Sequence, residues 1–238
     1  MASEKNIKLI GHRGAAGLAF ENTLASIEIA LALGVDMVEI DVWQTTDSEI
    51  VVFHDAYLER LTNESGFIAE MSYEKLQTIS LKNGAKIPTL SEVIELIKPY
   101  NIPLIVEVKA EKAFAKTLEI LETAFDFSEF VVGSFYHQPV LKLKQEKPQL
   151  QTAIMLECVP VSLENYLKEV NPDYVIAAIE THNEYLVNTL KNQQRQLFFY
   201  TVNLEPEIEL AFRAKPDGII TNYPDKFLEK TKQRSGSF

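Results

Sequence analysis

Short apolar runs rich in β-branched residues return along this chain at intervals of roughly 20–35 residues, with amphipathic stretches between them. This rhythm is typical of βα units, in which a helix follows each strand of a parallel sheet. The predicted strands cover residues 7–10, 36–42, 103–108, 130–134, 151–156, 174–177, 197–202 and 218–221. The predicted helices cover residues 23–33, 90–98, 113–125, 139–146, 163–169, 183–192, 205–212 and 224–230. Eight such pairs predict a (β/α)8 TIM barrel, because a doubly wound sheet would need fewer strands and a glycine-rich first turn that is absent here.

The length of the chain agrees with one barrel. Its 238 residues lie close to the size at which such barrels occur undivided, about 250 residues, so we expect a single domain over residues 1–238. One interval breaks the rhythm, because turn-forming residues and one short helical piece (73–79) fill the stretch between His54 and Pro88. We expect an inserted lid or subdomain at about residues 55–86, after the second barrel strand. The alternative is a surface excursion without a function.

Residues 36–55, DMVEIDVWQTTDSEIVVFHD, read as a strand, a polar turn, a second strand over residues 49–53 and then His54. In the first strand Glu39 and Asp41 share one face, because side chains alternate along a strand. Two carboxylates inside an apolar strand need compensation, and a hard divalent cation such as Mg²⁺ or Ca²⁺ provides it. The competing interpretation is a solvent-facing sheet on which both carboxylates are hydrated.

Further reactive side chains stand at the ends of the neighbouring strands. Gly11-His12-Arg13-Gly14 ends the first strand, and Glu107 and Lys109 share one face at the end of residues 103–108. Taken singly, the first motif is more typical of a surface turn, and Glu107 with Lys109 could be only a structural ion pair. Together, the first three strand units bring seven groups to one rim: His12, Arg13, Glu39, Asp41, His54, Glu107 and Lys109. Three carboxylates, two cationic groups and two imidazoles form a complete set for metal-assisted phosphoester cleavage.

Several short motifs carry a resemblance that covers the chain from residue 7 to about residue 228. They are Gly11-His12-Arg13-Gly14, Glu21-Asn22-Thr23, Glu39-Ile40-Asp41, Val52-Phe53-His54-Asp55, Ile87-Pro88-Thr89-Leu90, Glu107-Val108-Lys109, Thr201-Val202-Asn203 and Asp217-Gly218-Ile219-Ile220-Thr221. In this order and spacing the chain resembles the glycerophosphodiester phosphodiesterase family. The resemblance implies a barrel with a small subdomain after the second strand. It also implies that Glu39, Asp41 and Glu107 bind one Mg²⁺ or Ca²⁺.

The same resemblance implies the chemistry. It makes His12 and His54 the acid–base pair and places Arg13 and Lys109 against the phosphate of a glycerophosphodiester. Hydrolysis then releases sn-glycerol 3-phosphate and an alcohol. The nucleophile is either water or the 2-hydroxyl of the substrate, and the second route passes through a cyclic phosphate.

This chain departs from the usual family pattern at three positions, Phe20, Leu61 and Tyr200, none of which is a proposed ligand or proton carrier. Three other functions compete. A lysophospholipase D-type activity would use the same site on lysophospholipids. A catalytically silent phosphate sensor would usually have lost an acid or a histidine. A barrel lyase or aldolase would need Lys109 as a Schiff-base lysine in an apolar pocket.

Composition restricts the partners and the compartment. With 23 basic and 34 acidic residues the net charge is −11, a poor match to nucleic acids or anionic lipid surfaces. The resemblance implies a small-molecule glycerophosphodiester as the partner instead. We expect no stable membrane insertion, since no long apolar run is present. A single cysteine, Cys158, excludes an internal disulfide. Together with the lack of a visible apolar leader, the single cysteine favours a cytoplasmic location for the protein.

A few other residues are weaker candidates. Glu157 and His182 follow barrel strands and could reach the rim. His137 is expected to cap a helix or lie on the surface. Asn222-Tyr223-Pro224 opens the last predicted helix, where its backbone amides could hold a phosphate or the segment could only cap the helix. Aromatic side chains near the fourth predicted strand are expected to pack helices onto the barrel, namely Phe125, Phe127, Phe130 and Phe135.

Overall fold

Eight parallel strands close into a barrel in the computed structural model, which describes residues 7–235. The strands are β1 (Lys8–His12), β2 (Met37–Gln44), β3 (Ile50–Val52), β4 (Leu104–Val108), β5 (Phe130–Ser134), β6 (Thr152–Leu156), β7 (Tyr174–Ala178), β8 (Gln196–Tyr200) and β9 (Gly218–Thr221). Pairing runs from β1 through β2 and β4 to β9, and β9 returns to β1. The remaining strand, β3, pairs antiparallel with the end of β2. The predicted (β/α)8 barrel is confirmed.

Of the nine helices in the described part of the chain, eight pack against the outer faces of the barrel strands, and one, Tyr73–Thr78, lies in the segment inserted after β3. The helices are α1 (Leu24–Leu33), α2 (Tyr73–Thr78), α3 (Leu90–Ile97), α4 (Phe114–Ala124), α5 (His137–Glu146), α6 (Leu163–Val170), α7 (Glu184–Asn192), α8 (Glu205–Ala214) and α9 (Pro224–Ser235). The start of α3 shows how the sequence fixes a boundary. Thr89 Oγ1 accepts from the backbone N–H of Glu92 at 3.1 Å, and a Glu92 carboxylate oxygen accepts from the Thr89 N–H at 2.7 Å. Such a capping box stabilises a helix by about 1 kcal/mol.

The pleat of β2 separates an apolar outer face from an acidic inner face. Val38 and Ile40 point outward and join the large core between the barrel and its helices. Met37 points inward and packs in the centre of the barrel. Glu39 and Asp41 follow on that inner face, with 2% and 0% of their surface exposed. The alternative of a hydrated, solvent-facing strand is therefore wrong.

The register of the parallel strands gathers the reactive residues at one end of the barrel. His12 at the end of β1 pairs with Glu39, and Asp41 pairs with Glu107 on β4. Because the carboxyl ends of parallel barrel strands open on the same face, these side chains meet at that opening.

The segment after β3 packs around a hydrophobic cluster of its own. Two backbone bridges fold it, Tyr57 with Phe67 and Thr62 with Leu81. Each large apolar side chain buried there contributes about 1.5–3 kcal/mol, so the segment holds a defined position beside the barrel. The buried members of the cluster are Trp43, Val51, Phe53, Leu58, Leu61, Ile68, Ala69, Leu76, Ile79, Leu81 and Ile87.

Several element ends differ from the prediction. The strand β2 runs to Gln44 instead of residue 42, because the antiparallel β3 pairs with Trp43 and Gln44. The last helix reaches Ser235 instead of residue 230, because α8 anchors its final turns. There, Arg234 pairs with Glu209 at 3.0 Å and lies over the Phe212 ring. No helix within residues 7–235 is both long and apolar enough to cross a bilayer.

Candidate active site

Three carboxylates from two neighbouring strands form the centre of the site. Glu39 and Asp41 come from the inner face of β2, and Glu107 comes from β4. Their oxygens lie within 4.8 Å of one another. All three side chains are buried, so water does not screen their negative charges. Such a group either keeps protons or binds cations.

Two basic side chains neutralise part of this charge. The Nε of Arg13 lies 3.2 Å from Asp41 Oδ2, and the backbone N–H of the same residue donates to Glu39 at 3.1 Å. The Nζ of Lys109 lies 2.6 Å from Glu107 Oε1 and 3.4 Å from Asp41 Oδ1. With all three acids ionised, one negative charge therefore remains in excess.

The three acids differ in how easily they ionise: the pKa is raised for Glu39 and Glu107 and lowered for Asp41. Burial, reinforced by the charge of Asp41 and opposed by Lys109, raises the pKa of Glu107 to about 7. Burial and the charges of Asp41 and Glu107 likewise raise the pKa of Glu39 well above its ordinary value. Burial also opposes ionisation of Asp41, but Arg13 and Lys109 outweigh it and hold its pKa below the usual range. Glu39 and Glu107 can thus release their protons when a cation binds, while Asp41 is already ionised.

One buried oxygen supports a cation site directly. Asp41 Oδ1 has no hydrogen-bond partner within the described part of the chain. Lys109 Nζ lies 3.4 Å from that oxygen, and a buried oxygen without a hydrogen bond is costly unless something binds it. Buried carboxylate oxygens are the ligands that Mg²⁺ and Ca²⁺ prefer. The residues present therefore fit a hard divalent cation.

Tight backbone turns place the first loop against these acids. Arg13 and Gly14 adopt left-handed φ values of 51° and 81°. A Cβ on Gly14 would stand 2.5 Å from the backbone carbon of Ser26, so only glycine fits there. In the same loop, Asn22 has φ 55° and its amide donates to Asp41 Oδ2 at 2.8 Å. The sequence motifs did not assign a role to Asn22, although Glu21-Asn22-Thr23 is one of the motifs that carry the family resemblance.

The last barrel loop holds the first histidine. His12 Nδ1 lies 2.6 Å from Asn222 Oδ1, a contact that spans 210 residues of sequence. Because the amide oxygen only accepts, Nδ1 carries the hydrogen and Nε2 keeps its lone pair. That Nε2 lies 3.8 Å from Glu39. Burial, helped by the charge of Arg13, lowers the pKa of His12 to about 4.

The segment Asn222-Tyr223-Pro224 was a candidate either for binding phosphate through its backbone amides or for capping the last helix. The Asn222 amide donates to Asn203 Oδ1 at 2.9 Å, and the next one, on Tyr223, donates to Thr221 at 3.0 Å. Both groups are already satisfied within the fold. Asn222 acts through its side chain on His12 instead.

The second histidine is held from both sides. His54 Nδ1 lies 2.6 Å from Asp55 Oδ1, and the His54 carbonyl accepts from the indole N–H of Trp43 at 3.2 Å. Burial lowers the pKa of His54, while the Asp55 carboxylate acts in the opposite direction. The proposed acid–base groups therefore have different partners, an amide for His12 and a carboxylate for His54.

A cleft of about 680 Å³ opens beside Glu107, Lys109 and His54. Part of its wall is aromatic, with Trp43, Tyr57, Phe135 and Tyr136. The expectation that Phe135 packs a helix onto the barrel is wrong, because its side chain is 39% exposed and meets Tyr200 edge to face. It follows the end of β5 and so belongs to the open rim.

The weaker candidate residues lie outside the group of acids, histidines and basic side chains described above. His182 packs against Phe199. His137 begins α5, where its ring contacts the Tyr166 hydroxyl and the Met155 carbonyl, so it links neighbouring units and is not a cap. Cys158 and Glu157 are exposed at the end of β6.

The barrel and its rim define a class. A (β/α)8 fold that presents acids for a divalent cation, two imidazoles and two cations at its carboxyl face belongs with metal-assisted phosphoester hydrolases. Residues 12–226 match the Glycerophosphoryl diester phosphodiesterase family. The chain belongs to this family.

Similar proteins match over almost their whole length. YhdW of Bacillus subtilis (strain 168) is 30% identical over 243 residues, which cover 95% of this chain and 99% of that protein. A glycerophosphodiester phosphodiesterase of Caldanaerobacter subterraneus subsp. tengcongensis is 29% identical over 248 residues, with coverage of 94% and 98%. Among solved structures, an Oleispira antarctica phosphodiesterase in complex with the product sn-glycerol-3-phosphate superposes with a TM-score of 0.88 at 26% identity, covering 94% and 96%.

Proposed function

We propose that this enzyme hydrolyses glycerophosphodiesters, the deacylated headgroups of phospholipids, to sn-glycerol 3-phosphate and an alcohol. The observation that carries the proposal is the meeting of three buried carboxylates with two histidines and two cationic side chains at the barrel mouth. The Oleispira antarctica relative, which binds sn-glycerol-3-phosphate, supports the same product here. Such a reaction would give the chain a part in lipid and glycerol metabolism.

Glu39, Asp41 and Glu107 would hold one divalent cation, Mg²⁺ or Ca²⁺. When bound, the cation supplies Lewis-acid polarisation of the phosphoryl oxygens. Arg13 and Lys109 bind the remaining phosphate oxygens and stabilise the negative charge that grows on them during cleavage. Both basic groups are already fixed by the acids, so they need little reorganisation when the substrate arrives.

The different partners of the two histidines suggest different roles. The Nε2 of His12 keeps its lone pair at neutral pH because burial depresses its pKa, which suits a base that takes a proton from the nucleophile. Burial lowers the pKa of His54 as well, but the Asp55 carboxylate opposes that effect and stabilises the imidazolium once a proton arrives, which suits the group that passes a proton to the leaving alcohol. This division holds both for attack by water and for attack by the 2-hydroxyl of the substrate.

We further propose that the segment over residues 55–86 is a wall or lid for the leaving group. Its start, from Asp55 to Arg60, lines the cleft beside the site. We propose a cytoplasmic location on the basis of the single cysteine. The net charge of −11 argues against nucleic acid as a partner.

A lysophospholipase D-type activity is the second candidate. The aromatic wall of the cleft favours it, because Tyr57, Phe135 and Tyr136 offer apolar surface close to the proposed phosphate position. Lysophospholipids would place their acyl-glycerol part against such a surface. Glu59 on the same wall makes the surface mixed, so the water-soluble diesters remain the first candidate.

The test incubates the purified enzyme with glycerophosphocholine, glycerophosphoethanolamine or lysophosphatidylcholine, with Mg²⁺, Ca²⁺ or a chelator. We expect release of glycerol 3-phosphate from the first two substrates with a cation and none with the chelator. Choline release from lysophosphatidylcholine alone would establish the second candidate. Absence of product from every substrate with either cation would refute the proposed function.

A further inference from the structure

Arg60 lies outside the group of residues expected to react, yet it makes four hydrogen bonds to carboxylates beside the site. Its Nε donates to Asp55 Oδ2 at 2.5 Å, and its Nη2 donates to Asp55 Oδ1 at 2.9 Å. On the other edge, Nη1 and Nη2 donate to the two oxygens of Glu21 at 2.8 and 2.6 Å. One planar guanidinium thus holds two carboxylates in bidentate geometry.

Each of these carboxylates also holds a residue of the proposed chemistry. Asp55 Oδ1 is shared between Arg60 and His54 Nδ1, which lies 2.6 Å away. Glu21 Oε1 is shared between Arg60 and Arg13 Nη1, which lies 2.8 Å away. Arg60 is therefore linked through Asp55 to the proposed acid, His54, and through Glu21 to the proposed phosphate ligand, Arg13.

Arg60 also belongs to a different part of the chain from the residues that it supports. It lies in the inserted segment, whereas Glu21 and Arg13 lie in the loop between β1 and α1. Oxygens of Glu21 and Asp55 approach within 4.8 Å of each other. Without the guanidinium between them, these two anions repel and separate, and each releases the group that it orients.

A direct role in phosphate binding fits Arg60 less well. A guanidinium has five N–H donors, and four of the hydrogen bonds available to it here end on carboxylates. Its charge is balanced by those two acids. The side chain is 47% exposed, so its removal leaves no large buried hole and the fold should survive.

We propose that Arg60 is a positioning residue that fixes His54 through Asp55 and Arg13 through Glu21, and so locks the inserted segment to the reactive rim. The inference rests on the proposed roles of His54 and Arg13. Orienting partners of this kind typically contribute 10–100-fold to activity. Lysine cannot replace Arg60, because one ammonium group cannot form the two parallel pairs.

The kinetic test compares Arg60→Ala with Lys75→Ala, a matched control that removes a positive charge from an exposed position of the same inserted segment. We expect Arg60→Ala to lower kcat and raise KM for glycerophosphocholine, for a total loss of about 10–100-fold in kcat/KM. Asp55→Asn should mainly lower kcat, and Glu21→Gln should mainly raise KM. In the Arg60→Ala background both further changes should have little additional effect.

A second readout needs no substrate. In ¹⁵N NMR spectra of the free enzyme, we expect His54 to carry its hydrogen on Nδ1 in the wild type and in Lys75→Ala. In Arg60→Ala we expect a mixture of tautomers, and added guanidinium ion should restore both the tautomer and part of the activity. The conservative Arg60→Lys variant should behave like Arg60→Ala, because lysine cannot form the bidentate pairs.

The outcomes separate this inference from the proposed function. A wild-type enzyme that cleaves no glycerophosphodiester refutes the proposed function, while the NMR comparison still tests the link from Arg60 to His54. An active wild type with unchanged kinetics and tautomer in Arg60→Ala refutes the inference alone. Fully additive losses in the double variants also overturn it, because Asp55 and Glu21 would then act independently of Arg60. If Arg60→Ala fails to fold, the same kinetic and NMR comparison with the wild type is made with Arg60→Lys. The Asp55→Asn and Glu21→Gln variants then test the two links separately.

Discussion

Replacing Glu107 by glutamine should stabilise the metal-free enzyme and weaken its cation site. Burial beside Asp41 raises the pKa of this carboxyl from 4.5 to about 7. Between these values the folded protein keeps a proton that the unfolded chain has released, so stability falls as pH rises through this window. Since one pKa unit corresponds to about 1.4 kcal/mol, the folded wild type loses about 3 kcal/mol by pH 8. Glutamine does not titrate and avoids that loss.

The assay is urea unfolding of Glu107→Gln and the wild type at pH 4 and pH 8, with a chelator and with excess Mg²⁺ or Ca²⁺. With the chelator, we expect equal stabilities at pH 4 and a variant more stable by about 3 kcal/mol at pH 8. With the cation, the wild type should gain stability that the variant lacks. A 100-fold loss of affinity corresponds to about 2.7 kcal/mol of lost stabilisation.

The control is Glu111→Gln, which removes a carboxylate from an exposed position three residues after the end of β4. It should leave both the pH dependence and the effect of the cation unchanged. Parallel pH dependence of wild type and Glu107→Gln would refute the claim that this carboxyl is buried against other acids. Equal stabilisation of the two proteins by the cation would refute its place in the metal site.

Four further substitutions test other parts of the structure. His12→Ala and His54→Ala should each lower turnover by about 10²–10⁴-fold, and wild-type-like rates in both would remove them from the chemistry. Gly14→Ala should destabilise the fold by about 2 kcal/mol or more in thermal unfolding, because a Cβ there meets backbone at positive φ; an unchanged Tm would contradict that geometry. Lys144→Met should cost about 2 kcal/mol by breaking a partly buried pair with Asp173 at 2.7 Å, and no loss in urea unfolding would show the pair to be neutral.

Strand periodicity predicted part of the arrangement of the central acids. Glu39 and Asp41 stand two residues apart in an apolar strand, so period-two alternation puts both on one face. That this face is the inner one, and not a hydrated surface, is shown by their burial in the structure. Recurrent strand–helix spacing predicted the barrel, and a barrel brings strand ends together on one face. The chemistry could therefore be anticipated from residues near the strand ends.

Contacts between distant loops could not be predicted in the same way. Asn222 reaches His12 across 210 residues of sequence, and Arg60 reaches Glu21 across 39. Such pairs depend on how two loops fold over the rim, which no local periodicity encodes. Phe135 was misplaced for a related reason, since an aromatic residue just after a strand looks the same in sequence whether it packs inward or lines a cleft.

Anomalous diffraction from a crystal grown with Mn²⁺ tests the central claim most directly, because it locates the ion without reference to activity. The account predicts one peak within about 2.0–2.6 Å of oxygens from Glu39, Asp41 and Glu107. A peak instead beside Glu21 and Asp55, whose oxygens also approach each other near His54, would contradict it. So would a crystal in which the three buried acids hold no ion at saturating Mn²⁺.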